Sequence, residues 1–117
     1  MIDEKAQDLG RLIGQTEEYK ALKRASERLR EDADCQRLLG DMEKLAGTIE
    51  AAARNGKEPS PEQAEQYDKA VQSIQVNQVY QQMAVAQANF EKLMAKVNAR
   101  IYDGIQKGAT SPIITLG

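Results

Sequence analysis

The last third of the chain carries apolar residues at the spacing of one long helix. They recur every three or four residues up to Gln106: Val79, Met83, Ala86, Phe90, Leu93, Val97, Ile101 and Ile105. This spacing follows one face of an α-helix and is close to the heptad seam of paired helices. Glycine often ends a helix, so Gly108 is the predicted end. A segment of about 28 residues would be roughly 42 Å long.

A helix of that length does not fit inside a compact domain of this size. A folded chain of 117 residues has a radius of gyration of roughly 13 Å, so the helix must project from the core. An exposed apolar stripe usually binds a partner. We therefore expect a homodimer first and a different protein partner second. The predicted interface residues are Phe90, Leu93, Val97, Ile101 and Ile105, and the alternative is that they only pack the core or the dimer.

Four earlier segments also carry helical spacing. Ser60, Pro61 and Gln63 form a capping-box start, with serine at the N-cap and proline at the first helical position. Asn77 either caps a new helix or lies in a kink. The predicted segments run from about Asp3 to Ile13, from Glu17 to Arg30, from a cap at Asp32 or Asp34 to Arg54, and from Ser60 towards Asn77.

These segments predict an all-α fold. We expect a helical bundle of four to five helices with a long C-terminal helix, forming a single domain over residues 1–108 and a dimer. Residues 109–117 hold Pro112 and a short apolar run, Ile113 to Leu116. Proline cannot easily continue a helix, so this tail is expected to be extended or flexible.

A weak internal repeat appears at an offset of 45 residues. Leu29 and Asp32 align with Ile74 and Asn77, and apolar positions after each break align as well. Each half therefore reads as a shorter helix, a break at Asp or Asn, and a longer helix. Duplication of one unit and chance similarity between two helical hairpins both explain this pattern.

The composition excludes several classes of protein. With 41% hydrophobic and 29% charged residues, the chain is globular rather than disordered. The net charge of −2, with both signs interspersed, provides no bulk attraction to nucleic acid or anionic membranes. Neither a membrane-spanning run nor a secretory signal is expected. The single cysteine, Cys35, fits the reducing cytoplasm.

The sequence offers little for catalysis. It contains no histidine, so triads that use histidine as the base are impossible. Cys35 lies on an apolar stripe and is expected to be a small buried hydrophobe. Gly56 and Lys57 do not complete a phosphate-binding loop, because Ala51 and Glu58 replace its glycine and hydroxyl residues. We expect no enzymatic activity, no metal and no cofactor.

Two polar features leave alternatives open. Lys20, Arg24 and Arg28 share one helix face and could contact phosphates, which makes an RNA-binding protein the main rival interpretation. A solvated face is favoured, since acidic residues dilute the patch and no aromatic platform accompanies it. Glutamines between Gln72 and Gln87 form either a polar interaction face or ordinary helix surface. A third interpretation is a small helical chaperone that shields an apolar ligand.

Short motifs occur in a recognisable order over residues 5 to 106. The chain resembles the YlbF/YmcA family of bacterial helical proteins in this order. The motifs are Leu9-Gly10-Arg11-Leu12-Ile13, then Glu18-Tyr19-Lys20-Ala21-Leu22-Lys23-Arg24-Ala25, an Asp32 break, an Asn77-Gln78-Val79 break, and a terminal helix with Phe90, Leu93 and Val97.

This resemblance implies an all-α fold that tends to dimerise and a regulatory role without catalysis. Members of the family influence competence, sporulation and biofilm formation, and some belong to a complex that modulates messenger RNA processing by the endoribonuclease RNase Y. Certain members bind an iron–sulfur cluster through cysteines. Cys35 is the only cysteine here and the tail has none, so cluster binding is not expected. A divergent member with a different partner is the alternative.

Overall fold

A computed structural model describes residues 1–110 and shows five α-helices, with no strand in that range. The all-α prediction is therefore confirmed. The predicted apolar run of the tail, from Ile113 to Leu116, lies outside the described residues. The helices are α1 (Ile2–Gly14), α2 (Glu17–Glu31), α3 (Ala33–Arg54), α4 (Pro61–Gln75) and α5 (Gln78–Thr110).

Side-chain caps define the starts of four of the five helices, α2 to α5. Asp32 accepts a hydrogen bond at Oδ2 from the backbone N–H of Cys35, at 2.9 Å, so Asp32 rather than Asp34 caps α3. Asn77 accepts one at Oδ1 from the N–H of Tyr80, at 3.0 Å, so Asn77 caps a separate helix. Such a cap satisfies an N–H that has no partner within the helix.

The predicted capping box at the start of α4 is confirmed. The N–H of Gln63 donates to Ser60 Oγ at 3.1 Å, and the N–H of Ser60 donates to Gln63 Oε1 at 3.2 Å. The preceding loop contains Gly56, whose φ of 74° is the left-handed conformation that glycine adopts readily.

The prediction that Gly108 ends the last helix is wrong. α5 continues to Thr110, whose hydroxyl donates to the carbonyls of Gln106 and Lys107 at 3.1 and 3.2 Å. A glycine lowers helix propensity by only about 1 kcal/mol, which does not end a helix by itself.

Four of the five helices form two antiparallel arms, and α1 packs against α2. The first arm is α2 followed by α3, and the second is α4 followed by α5. α2 packs against α5, and α3 packs against α4. Three contacts set the register of α2 on α5: Tyr19 with Phe90 (ring centroids 5.7 Å apart), Ser26 Oγ with Met83 Sδ (3.6 Å), and Arg28 with Gln82 (2.8 Å).

The packing follows the 45-residue offset seen in the sequence. The offset relates α2 to α4 and α3 to α5, so the contact of α2 with α5 corresponds to the contact of α4 with α3. The same offset relates the caps, Asp32 to Asn77. The register places these two breaks opposite each other, one in each arm. The arrangement therefore has an approximate internal twofold relation, whereas gene duplication stays a prediction.

Two arms enclose very little. Within residues 1–110 only four side chains are buried: Ala25, Cys35, Ile74 and Ala86. The molecule measures 66 × 35 × 19 Å and its radius of gyration is 21.5 Å, against about 13 Å for a compact chain of this length. Each helix therefore keeps a large part of its surface outside the core.

Ile74 is the largest side chain in this small core, and its loss should destabilise the fold. Ile74 is 2% exposed and Val76 is 73% exposed. We expect Ile74→Ala to lower the free energy of unfolding by about 2–5 kcal/mol, because removing a buried side chain leaves a cavity. Urea denaturation followed by circular dichroism measures this change. The control, Val76→Ala, should change it by less than about 0.5 kcal/mol, and equal losses would contradict this description of the core.

Candidate interaction surfaces

One end of the molecule carries an apolar groove between α1 and α5. The groove is lined by the first turns of α1 and by one residue of α5, and its volume is about 380 Å³. We call this surface, together with Ile105 one turn further along α5, the apolar end. The groove is lined by Met1, Ile2, Lys5, Ala6, Leu9 and Ile101.

The apolar end is exposed. Ile101 is 46% and Ile105 60% exposed, and Tyr102 beside them is exposed as well. α1 contributes no buried residue, although its Ile2 and Leu12 are large and apolar. Apolar side chains clustered on a surface in this way indicate a binding site.

The five predicted interface residues do not share one environment. Phe90 is half-buried against the ring of Tyr19, within the contact between the arms. Leu93 and Val97 are also half-buried. Ile101 and Ile105 remain largely exposed. The stripe thus begins inside the molecule and emerges towards its C-terminal end.

The place of α1 beside α5 is not predicted by the sequence. The signal was present in the apolar spacing of Ile2, Ala6, Leu9 and Ile13, which marks a helix face. Spacing alone could not place that face beside Ile101, because the angle between α1 and α5 depends on the link at Gln15 and Thr16.

The predicted basic patch is divided in the structure. Arg24 and Arg28 line a groove of about 680 Å³ between α2 and α5, and Arg28 Nη1 donates to Gln82 Oε1 at 2.8 Å. Lys20 is not part of that lining, and its Nζ lies 3.9 Å from Glu17 Oε1. Gln78 and Gln81 line the same groove, so part of the glutamine run meets the arginines.

Cys35 has the character of a core residue. It is fully buried where α2 meets α3, and its N–H is held by Asp32. Burial raises the pKa of the Cys35 thiol above its usual range, and the negative charge of Asp32 raises it further. Since the thiolate is the reactive form, this environment suppresses the chemistry of the thiol.

The described residues offer few sites for other chemistry. No three histidine, cysteine, aspartate or glutamate side chains within residues 1–110 are grouped so that they could hold a metal ion. No helix in the same range combines the length and the apolar character of a membrane span.

Alkylation tests this environment of Cys35. We expect iodoacetamide to modify Cys35 at least about tenfold more slowly in the folded protein than in urea, since both access and thiolate formation are restricted. Intact-mass spectrometry at pH 8 follows the reaction, with the urea-unfolded chain as control. Comparable rates would show that the thiol is accessible in solution.

Fold and surfaces together define a small all-α protein with an apolar end and a groove between α2 and α5 that is lined by Arg24 and Arg28. The chain belongs to the YlbF/YmcA family: the family model described as "Control of competence regulator ComK, YlbF/YmcA" matches residues 2–106. The resemblance drawn from the sequence motifs is therefore confirmed.

Similar proteins match nearly the whole chain, and two solved structures among them share its fold. A UPF0342 protein of Leuconostoc mesenteroides is 20% identical over 113 residues, which cover 91% of this chain and 97% of that protein. The crystal structure of Bacillus subtilis RicA, solved in complex with RicF, matches with a TM-score of 0.82 and 20% identity, over 93% of this chain and 96% of that one. A DUF964 protein of unknown function from Bacillus stearothermophilus matches with a TM-score of 0.64 and 21% identity, over 95% and 97% of the two chains.

Proposed function

We propose that this protein is a non-catalytic regulatory adaptor that works by docking its helices against partner proteins. The apolar end is the proposed interface. The observation that carries the proposal is the exposure of Ile101 and Ile105 beside the apolar groove of α1, on a molecule with only four buried side chains in residues 1–110. Covering such a surface releases water from apolar area, at roughly 25 cal/mol per Å².

The proposed first partner is another chain of the same fold. A helical face made of α1 and the end of α5 suits a second helical face better than a flat surface, because side-chain ridges on one helix fit grooves on another. A second copy of this chain is the simplest such partner. The RicA structure, which contains RicF, supports the idea that proteins of this fold assemble with other proteins.

The proposed process is control of gene expression during development. Family membership supports this, since the matching model is described by control of the competence regulator ComK. The finer proposal, carried from the family resemblance, is that the adaptor modulates RNase Y-dependent processing of messenger RNA in the cytoplasm. Tagged protein purified from the native cell, with mass spectrometry of what accompanies it, tests this part. RNase Y subunits or cofactors in the complex would support it, and a stable complex that lacks them would exclude it.

Charge placed at the apolar end should separate the partners. We expect Val97→Asp plus Ile101→Asp to leave a folded monomer, because a carboxylate buried in an apolar interface lacks a compensating partner. Light scattering gives the mass and circular dichroism checks the helices. Val97 is half-buried, so Ile101→Asp plus Ile105→Asp repeats the test with two exposed positions and less risk to the fold.

The control places the same charges elsewhere on exposed surface. Ala46→Asp plus Val76→Asp should leave the mass of the wild-type assembly unchanged, since both positions are exposed and away from the apolar end. A wild-type protein that is monomeric at all concentrations rules out the homodimer. Ile101→Asp plus Ile105→Asp that stays dimeric removes the apolar end from the interface.

A further inference from the structure

We propose that the groove between α2 and α5 is a second docking site, and that its occupant is an acidic amphipathic α-helix of a partner protein. We call it the basic groove. It is formed by Arg24 and Arg28 on one side and by Lys92 and Lys96 further along the other, with Ala21 and Asn89 shared between two adjoining hollows. This site is distinct from the apolar end and does not depend on it.

The basic groove is long enough to hold a helix of about five turns. Its two hollows, of about 680 and 480 Å³, join at Ala21 and Asn89 into one trough. Along α5 the trough extends from Gln78 to Lys96, which corresponds to roughly 27 Å or five helical turns. Two antiparallel helices present a straight furrow of this kind, into which a third helix packs at an interaxial distance of about 8–10 Å.

The floor of the trough is apolar. Ala21, Ala25 and Ala86 are small, so a partner helix can approach closely. Val85 lines the groove and is 61% exposed, and Leu93 lines the second hollow and is half-buried. A helix that rests on this floor needs leucine-like side chains on one face.

The charge of the groove determines which side chains the partner helix needs beside its apolar face. None of the four cations of the trough, Arg24, Arg28, Lys92 and Lys96, forms an ion pair within residues 1–110. Arg28 makes a hydrogen bond to the neutral amide of Gln82.

The acidic groups of the trough lie at one end. Glu17 and Glu18 line the hollow that holds Lys92 and Lys96, and Glu17 lies 3.9 Å from Lys20. The arginine half of the trough, which is the larger hollow, has no acidic lining residue. A complementary partner therefore carries carboxylates beside its apolar face, most densely opposite Arg24 and Arg28.

The internal twofold relation supplies a comparison. The groove between α3 and α4, of about 470 Å³, occupies the equivalent position 45 residues away. There Lys69 takes the place of Arg24 and is paired with Glu65 at 3.3 Å, Ser73 takes the place of Arg28, and Asp41 takes the place of Ala86. That groove is also partly apolar, since Leu38, Leu45 and Ala70 line it, and its Lys44 forms no ion pair within residues 1–110. The difference between the two grooves is the charge: Asp41 lines the equivalent groove, whereas the arginine half of the basic groove has two unpaired cations and no acidic lining residue.

The apolar floor favours a protein helix over RNA. Phosphate contacts alone need cations and no apolar floor. Binding of single-stranded RNA usually uses aromatic side chains for stacking, and neither hollow is lined by one. RNA is therefore the alternative that the experiment must separate.

Two synthetic helical peptides of about 18 residues test the proposal. They share one leucine and alanine face, and one carries glutamate and the other lysine on both flanks of that face. We expect the full-length protein to bind the glutamate peptide at least about tenfold more tightly by fluorescence anisotropy, with a preference that weakens as salt is added. Arg24→Glu plus Arg28→Glu should reverse the preference, and Val85→Asp should weaken binding of both peptides.

The matched control uses the equivalent groove. Lys44→Glu plus Lys69→Glu makes the same change in charge between α3 and α4 and should leave the preference intact. Ile101→Asp plus Ile105→Asp should also leave it intact, which separates this site from the apolar end. Equal binding of the two peptides, no binding of either, or loss of the preference in the control overturns the proposal. So does tight, salt-sensitive binding of poly(U) RNA by a protein that does not bind the glutamate peptide.

Discussion

The antiparallel packing of the two arms determines most of this structure. Small side chains at Ala25 and Ala86 let α2 and α5 approach closely, while Cys35 and Ile74 fill the space near the breaks. Because only two arms meet, this contact forms a seam and not a three-dimensional core. The apolar end and both lateral grooves are consequences of that geometry, since no third layer covers them. The lack of a third layer therefore limits the size of the buried core, and it also leaves these surfaces open to a partner.

The sequence predicted the elements of the fold well and their arrangement less well. Caps are local: Ser60 with Gln63, and Asp32 with Cys35, lie within one helical turn, so their residue types identify the helix starts. The end of α5 was misplaced because the effect of one glycine on a helix is small. The length and apolar spacing of α5 predicted an exposed stripe, and Ile101 and Ile105 are exposed.

The candidate surfaces were only partly accessible to sequence analysis. Residues on one helix, such as Arg24 and Arg28, could be placed on a common face from their spacing. Residues from distant segments could not be placed together in this way. Whether Ile2 lies beside Ile101, and Lys92 near Glu18, depends on the register between helices. The 45-residue offset was visible in the sequence, but only the structure shows that it relates two grooves of different charge.

The opposed breaks at Asp32 and Asn77 have a mechanical consequence. Each arm changes helix at the same level, so no continuous ladder of backbone hydrogen bonds crosses the middle of the molecule. A change in the angle between the two halves concentrates at this level and leaves the turns of α2, α3, α4 and α5 intact. The described helices thus form two halves, α2 with α5 and α3 with α4, that meet at the level of Asp32 and Asn77. Cys35 and Ile74 lie at this level, and they are the two most completely buried residues of the described chain.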